Sequence, residues 1–368
     1  MRYLSVDFYR GLTVAFMIIV NTPGTGAYVF PPLQHALWHG CTPTDLVFPS
    51  FMFIIGVSMW FAFTKYEHQW SAELGRKILR RTALLFLIGL ILNHFPILWK
   101  DWGTWRIMGV PQRLALGYGI GSVLALRLNQ RWLIGISAFF LLLYWALLYA
   151  FGMPGADPYA LETNAVLRLD RWLFTDAHLY HGEGIGFDPE GVLSTIPSVV
   201  TVLLGWMCGR MLTRMNDRKM ELVRQLLLLG VMCGVAGLLW DQAFPINKKL
   251  WTSSYVLYAG GLSILLLAVS VWLFDVRNWR KGAGFFLTFG SNALFAYVLS
   301  EALVMILYTI RWTDAAGRQL SAQEWIYQTI FQPLNGAEWG SFAFAIAYML
   351  LCWAICRPLY LRKIYIKL

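Results

Sequence analysis

Between His35 and Gly56 the chain reads H-A-L-W-H-G-C-T-P-T-D-L-V-F-P-S-F-M-F-I-I-G, a polar loop that runs straight into an apolar helix. It carries a histidine and, ten positions later, an aspartate. Imidazole exchanges a proton near neutral pH, and a neighbouring carboxylate fixes its tautomer and stabilises its cation. Ionisable groups at the rim of a membrane helix are costly to bury and point to function. His35 and Asp45 are therefore read as a candidate acid–base centre, with His39 left as a loop residue.

Other polar residues carry a plain reading beside a sharper one. Asn21 closes the first apolar run before P-G-T-G; it ends a helix, or its amide donates to a developing oxyanion if the loop folds back. Asp7 and Arg10, three apart, pair with each other, or Arg10 meets a phosphate of a ligand on the inner side. Arg113 in V-P-Q-R-L ties helices together through carboxylates or faces a substrate. Asp188 and Glu190 in F-D-P-E-G-V-L-S-T-I-P cap a helix start, or recognise an amine or sugar hydroxyls. Lys248 snorkels outward or joins the same site. In G-S-N-A-L-F-A-Y-V-L-S-E, interhelical hydrogen bonding accounts for Ser291 and Asn292, whereas Glu301 needs a partner, with Arg113 and Lys248 as candidates.

These residues must be held by helices. The 368 residues are 58% hydrophobic and 14% charged, and the apolar residues fall into continuous runs of about 20, enough to cross a bilayer as helices. Backbone polar groups cannot be left unpaired in lipid, so an all-α polytopic membrane protein is expected rather than a barrel. About ten transmembrane helices are read, centred near residues 14, 54, 88, 118, 142, 203, 231, 262, 298 and 347. They form one bundle and one domain over 1–368, and the first is a retained helix rather than a cleaved signal.

The formal charge of +10 would suggest nucleic acid in a soluble protein, but here it sits in alternate loops, so no nucleic-acid partner is expected. With the N-terminus inside, the inner segments hold 20 Lys and Arg and the outer loops 8. Both termini are expected to be cytoplasmic, with His35 and Asp45 on the outer side. The longest connections, Gly152–Gly191 and Arg311–Gly336, are outer as well. Five scattered cysteines give neither a disulfide framework nor a zinc spacing, so no metal is expected.

Taken in order, L-S-V-D-F-Y-R-G-L-T-V-A-F-M-I-I-V-N, the His35–Gly56 stretch, V-P-Q-R-L, D-P-E-G-V-L-S-T-I-P, P-I-N-K-K-L-W-T-S-S-Y and G-S-N-A-L-F-A-Y resemble the heparan-α-glucosaminide N-acetyltransferase family and its bacterial homologues, from Leu4 to about Glu301. The resemblance implies a helical membrane core that takes an acetyl group from cytosolic acetyl-CoA and places it on an amino sugar across the membrane. It implies His35 as the catalytic histidine, Asp45 as its partner and Asn21 as the asparagine near the acetyl group. His35 either deprotonates the sugar amine or is itself acetylated first; both routes stay open. Arg10, Ser291 and Asn292 lie on the side suited to the CoA nucleotide, and the family suggests a homodimer. Ser300 stands where a histidine is expected before Glu301, and the large luminal N-terminal domain of the animal enzymes has no counterpart. Both departures bear on the acceptor, and the second favours a bacterial inner membrane. Competing readings are an amino-sugar transporter, for which no inverted repeat is visible, and an O-acyltransferase acting on envelope glycans.

Overall fold

The computed structural model describes residues 3–96, 102–313 and 317–366. Arg2, Lys100 and Lys367 of the charge count lie outside them. The chain is mostly helical. The helices are α1 (Leu4–Asn21), α2 (Val47–Phe63), α3 (Ala72–His94), α4 (Val110–Arg127), α5 (Gln130–Phe151), α6 (Ala165–Phe174), α7 (Thr195–Arg214), α8 (Lys219–Asp241) and α9 (Ser253–Val271). They continue with α10 (Ala283–Ser291), α11 (Ala293–Thr309), the short α12 (Ala322–Ile326) and α13 (Gln332–Asn335), and α14 (Ala337–Leu361).

Every centre read from the sequence falls in a helix. Among the described residues, seven helices are long and apolar enough to cross a membrane: α1, α5, α7, α14 and the spans built on α2, α8 and α9. An eighth span is added if α10 and α11, bent by 84° about Asn292, count as one. The other two centres fall in α3 and α4, whose 23 and 18 residues are long enough for a crossing but carry charges at Arg76, Lys77, Arg80, Arg81 and Arg113. The all-α expectation needs one small amendment. Arg311–Thr313 (β1) pairs antiparallel with Gln319–Ser321 (β2) inside the second long connection, where Ser321 and Glu324 then form a capping box that starts α12.

Glycines let these helices approach to backbone contact. A Cβ on Gly56 of α2 would sit 1.9 Å from the Val202 carbonyl of α7, and one on Gly205 of α7 would sit 1.9 Å from the Phe53 carbonyl of α2. The same reciprocity joins Gly11 of α1 to Phe286 of α10 and Gly290 of α10 to Asp7 of α1. Small residues at crossings are the usual way for helices in lipid to gain dispersion contact. Around these crossings the core packs Val14, Ile18, Met52, Val199, Leu203 and Phe289. The first crossing carries α2, which begins two residues after Asp45; the second joins α1 to α10. The Ile364 carbonyl accepts a hydrogen bond from Asn292 next to Gly290, so the N- and C-terminal segments meet at one end of the bundle.

Candidate active site

The segment between α1 and α2 is shaped by its own polar groups. A turn at Pro31–Leu33 is closed by Thr42 Oγ1, which donates to the Gln34 carbonyl at 2.6 Å. The Gly40 amide donates to the Ile246 carbonyl at 2.7 Å, a pairing that needs the φ of +102° found at Gly40 and that glycine adopts without strain. Trp38 Nε1 donates to the Tyr159 carbonyl at 2.8 Å, and its ring meets Phe187 edge-on at 5.5 Å. Three separate stretches of chain thus fix the loop that carries His35.

Within it, His35 Nδ1 lies 2.6 Å from Asp45 Oδ1. Asp45 Oδ2 accepts from the Ala36 amide at 3.1 Å, from the Thr42 amide at 2.9 Å and from Thr42 Oγ1 at 3.1 Å. A carboxylate with this many donors is held ionised and in one orientation. The Asp45 side chain is 1% exposed and that of His35 is 46% exposed. A buried acceptor therefore grips an accessible ring by Nδ1–H, and Nε2 is the nitrogen left to act as a base. Tyr255 Oη, from α9, donates to the Asp45 main-chain carbonyl at 2.6 Å, and Trp251 packs edge-on to both Tyr255 and Phe48.

Arg113 is fully buried. Its Nη2 donates to the Gly191 carbonyl at 3.0 Å and to Ser194 Oγ at 2.5 Å, and its guanidinium lies 5.2 Å from the centre of the Trp251 ring. It makes no hydrogen bond to a carboxylate, and its Nε and Nη1 have no partner. The expected helix cap at Asp188 and Glu190 also gives way to another arrangement. Both carboxylates are taken by Arg106, whose Nε and Nη2 donate to Asp188 at 3.1 and 2.8 Å and whose Nη2 donates to Glu190 at 2.8 Å. A helix N-terminus offers about half a charge, less than a guanidinium fork does. Burial alone would raise the Glu190 carboxyl, but Arg106, Lys248 and Arg113 bring it below its ordinary value. Lys248 thus belongs to this cluster through Glu190. Neither Arg113 nor Lys248 acts on Glu301; the polar group that bears on its carboxyl is the Asn21 amide.

The candidates at this end accordingly form one hydrogen-bonded pair, His35 with Asp45, beside one charged cluster, with Glu301 near the Asn21 amide. Arg113 and Glu190 lie within electrostatic reach of Tyr255, the residue that steadies Asp45, and Glu190 and Arg106 lie within reach of Tyr297, next to Glu301. Sequence reasoning missed Arg106, counting it only as an outer-loop charge. Its signal was W-R-I-M-G-V-P-Q-R, a second arginine seven residues ahead of Arg113. Asp170 was missed too: it is 1% exposed, its Oδ1 accepts from the Val192 amide at 3.0 Å, and its Oδ2 has no partner. Burial pushes this carboxyl up to about 7.

At the other end of the bundle the three residues expected near the CoA nucleotide have protein partners. Arg10 donates to Asp7 at 3.3 Å, to the Gly290 carbonyl at 3.1 Å and to Ser58 at 2.6 Å. Asn292 donates to the Ile364 carbonyl at 2.9 Å and accepts from the Ile366 amide at 2.8 Å, while Ser291 donates to Thr288. Among the described residues no group of three His, Cys, Asp or Glu side chains is placed to hold a metal ion.

Over residues 2–238 the sequence matches the family described as Heparan-alpha-glucosaminide N-acetyltransferase, catalytic. It is 29% identical over 411 residues to Heparan-alpha-glucosaminide N-acetyltransferase of Mus musculus, an alignment that covers 96% of this chain and 60% of the relative. Against the protein of the same name from Homo sapiens it is 29% identical over 359 residues, covering 82% of this chain and 53% of that one. The chain therefore spans between about half and three fifths of the length of these relatives.

Proposed function

We propose that this chain, which belongs to the heparan-α-glucosaminide N-acetyltransferase catalytic family, transfers an acetyl group from acetyl-CoA to the amine of a glucosamine-type sugar. The observation that carries this reading is the His35–Asp45 pair: an accessible imidazole whose Nδ1 is held at 2.6 Å by a buried carboxylate. Acetyl-CoA, when bound, supplies a thioester carbonyl. His35 Nε2 takes the proton that the sugar amine must lose, and Asp45 keeps Nδ1–H in place and balances the imidazolium charge. Asn21, at the end of α1, donates from its amide to the developing oxyanion.

Arg106, Asp188, Glu190 and Lys248 line the approach of the acceptor, and buried Arg113 steadies the Gly191–Ser194 turn behind them. In this reading α3, α4 and the bent α10–α11 pair join the seven apolar helices as crossings. The basic end where the chain termini meet faces the cytosol and the CoA nucleotide, and His35 faces the periplasm of a bacterial inner membrane. No individual residue is assigned to the nucleotide, since Arg10 and Asn292 are committed to protein partners.

The reading is tested by release of CoA thiol from acetyl-CoA by the purified protein in detergent, with and without glucosamine. Glucosamine-dependent release that His35→Ala lowers by roughly 10²–10⁴-fold is expected. Equal release by wild type and variant removes His35 from the chemistry, and solute flux without acetyl-CoA would favour a transporter.

A further inference from the structure

Beside the His35 loop lies a cavity of about 640 Å³. Its walls include His39 and Cys41 from the loop, Leu238, Asp241 and Gln242 from the end of α8 and the residue after it, and Tyr258 from α9. Neither His35 nor Asp45 lines it, but it borders the loop that carries them. That border is pinned: the Gly40 amide donates to the Ile246 carbonyl at 2.7 Å. His39 follows His35 by four residues, which caps the distance between their Cα atoms at about 14 Å.

The lining has a definite chemistry. Asp241 uses Oδ1 to accept from the Ile246 amide at 2.6 Å, which leaves Oδ2. His39 turns Nδ1 toward the Asn247 amide at 3.4 Å, which leaves Nε2. Gln242 is exposed and has both an acceptor and donors. Carboxylate, amide and imidazole are flat groups that can bridge neighbouring hydroxyls, and the half-buried Tyr258 ring offers an apolar face to C–H groups. A wholly apolar occupant would desolvate Asp241 and Gln242 without replacing their hydrogen bonds. A sugar ring presents both kinds of surface. Its charge preference follows as well. No Lys or Arg lines the cavity, and nearby Lys249 is committed to Glu183 at 2.5 Å and to the Leu37 carbonyl at 2.8 Å. A carboxylate with no cation beside it repels sulfate and uronate groups.

We propose that this cavity is a second acceptor subsite, which holds the sugar ring linked to the amino sugar at His35 and accepts neutral or amine-bearing rings in preference to anionic ones. The assignment rests on the reading of the chain as an amino-sugar acetyltransferase. It makes the acceptor an uncharged or cationic oligosaccharide end rather than a sulfated glycan.

The test uses three probes with the full chain in detergent: glucosamine, its β-1,4-linked disaccharide, and a sulfated heparin-derived disaccharide with a free glucosamine amine. Binding is read by saturation-transfer NMR and turnover by CoA thiol release. The β-1,4 disaccharide is expected to exceed glucosamine in kcat/KM by roughly 5–10-fold, the effect of one or two hydrogen bonds, with the sulfated probe below both. Asp241→Asn keeps the acceptor for the Ile246 amide while removing the charge, and Gln242→Ala changes an exposed side chain. Each variant should bring the disaccharide down toward the glucosamine value and leave glucosamine within twofold. Disaccharide binding lost in these variants, even if no acetyl transfer occurs, upholds the subsite and overturns the transferase reading alone. Glucosamine turnover with no advantage for the disaccharide, a preference for the sulfated probe, or equal losses for all three acceptors overturns the subsite.

Discussion

Two sets of polar side chains at opposite ends of the bundle differ in how fully they are paired. Where the chain termini meet, Arg10 bonds Asp7, Gly290 and Ser58, and the Asn292 amide is matched donor and acceptor to the backbone of Ile364 and Ile366. At the other end His35 gives one ring nitrogen to Asp45 and keeps the other, and buried Arg113 has two nitrogens without partners. Polar groups buried for stability are paired as fully as the fold allows. Incomplete pairing in a half-open site leaves capacity for a reactant. The contrast fits the proposal that the chemistry takes place at the His35 end, although residues of both ends looked equally functional as letters in a sequence.

The most direct way to break that comparison is Asp45→Asn. The amide preserves shape but cannot fix the His35 tautomer or balance its cation, so kcat for glucosamine-dependent CoA release should fall by about 10²–10⁴-fold with little change in folding. A loss below about fivefold would reduce Asp45 to a structural role. Next in size is Arg106→Ala, which strands Asp188 and Glu190 without their guanidinium. Breaking a buried pair on one side costs on the order of 3–5 kcal/mol, and thermal unfolding in detergent should register it. Because Glu190 sits below its ordinary value in the folded protein, its contribution is present above the unfolded value near 4.3 and is lost as pH falls through the folded one. The deficit of the variant should therefore be greatest at neutral pH and shrink in acid.

Much of this was legible in the sequence, for reasons that particular residues make clear. Ten helix centres could be read because continuous apolar runs need no knowledge of tertiary contacts. The His35–Asp45 pair could be read because ten residues of one loop bring both groups together locally. Arg106 could not, since its partners lie more than 80 residues away and only the folded connection between α6 and α7 presents them. Likewise Glu301 was credited with a cationic partner on charge alone, whereas the polar group that bears on it is the Asn21 amide. The break at Asn292 falls on Gly290-Ser291-Asn292, whose polar groups were read as interhelical hydrogen bonding rather than as the site of an 84° bend.

Asp170, close to the Arg106 cluster, is a buried group left short of partners. Burial carries its carboxyl up to about 7, above the ordinary value near 3.9. A raised folded value means that its favourable contribution is complete only below the unfolded value and declines as pH rises through the folded one. Asp170→Asn imitates the protonated acid and still offers an oxygen to the Val192 amide. The variant should match wild type near pH 4 and gain on it up to about pH 7. At 1.36 kcal/mol per pH unit the gain reaches at most about 4 kcal/mol. Unfolding temperatures that stay parallel across this range would place the Asp170 titration elsewhere.

The smallest expected effect is at Asn292, whose amide is fully paired, and it tests the other half of the comparison. Asn292→Ala deletes two hydrogen bonds to the segment after α14, worth about 1–3 kcal/mol together, but removes no group from the His35 site. Hydrogen exchange at Ile364–Ile366 should accelerate by roughly 5–100-fold, as that energy implies, while turnover at saturating acetyl-CoA stays within twofold. If the variant instead raises KM for acetyl-CoA at least tenfold without loosening the segment, Asn292 contacts the donor. The terminal end of the bundle would then share in substrate recognition, and full pairing in the resting fold would no longer separate structural from functional polar groups.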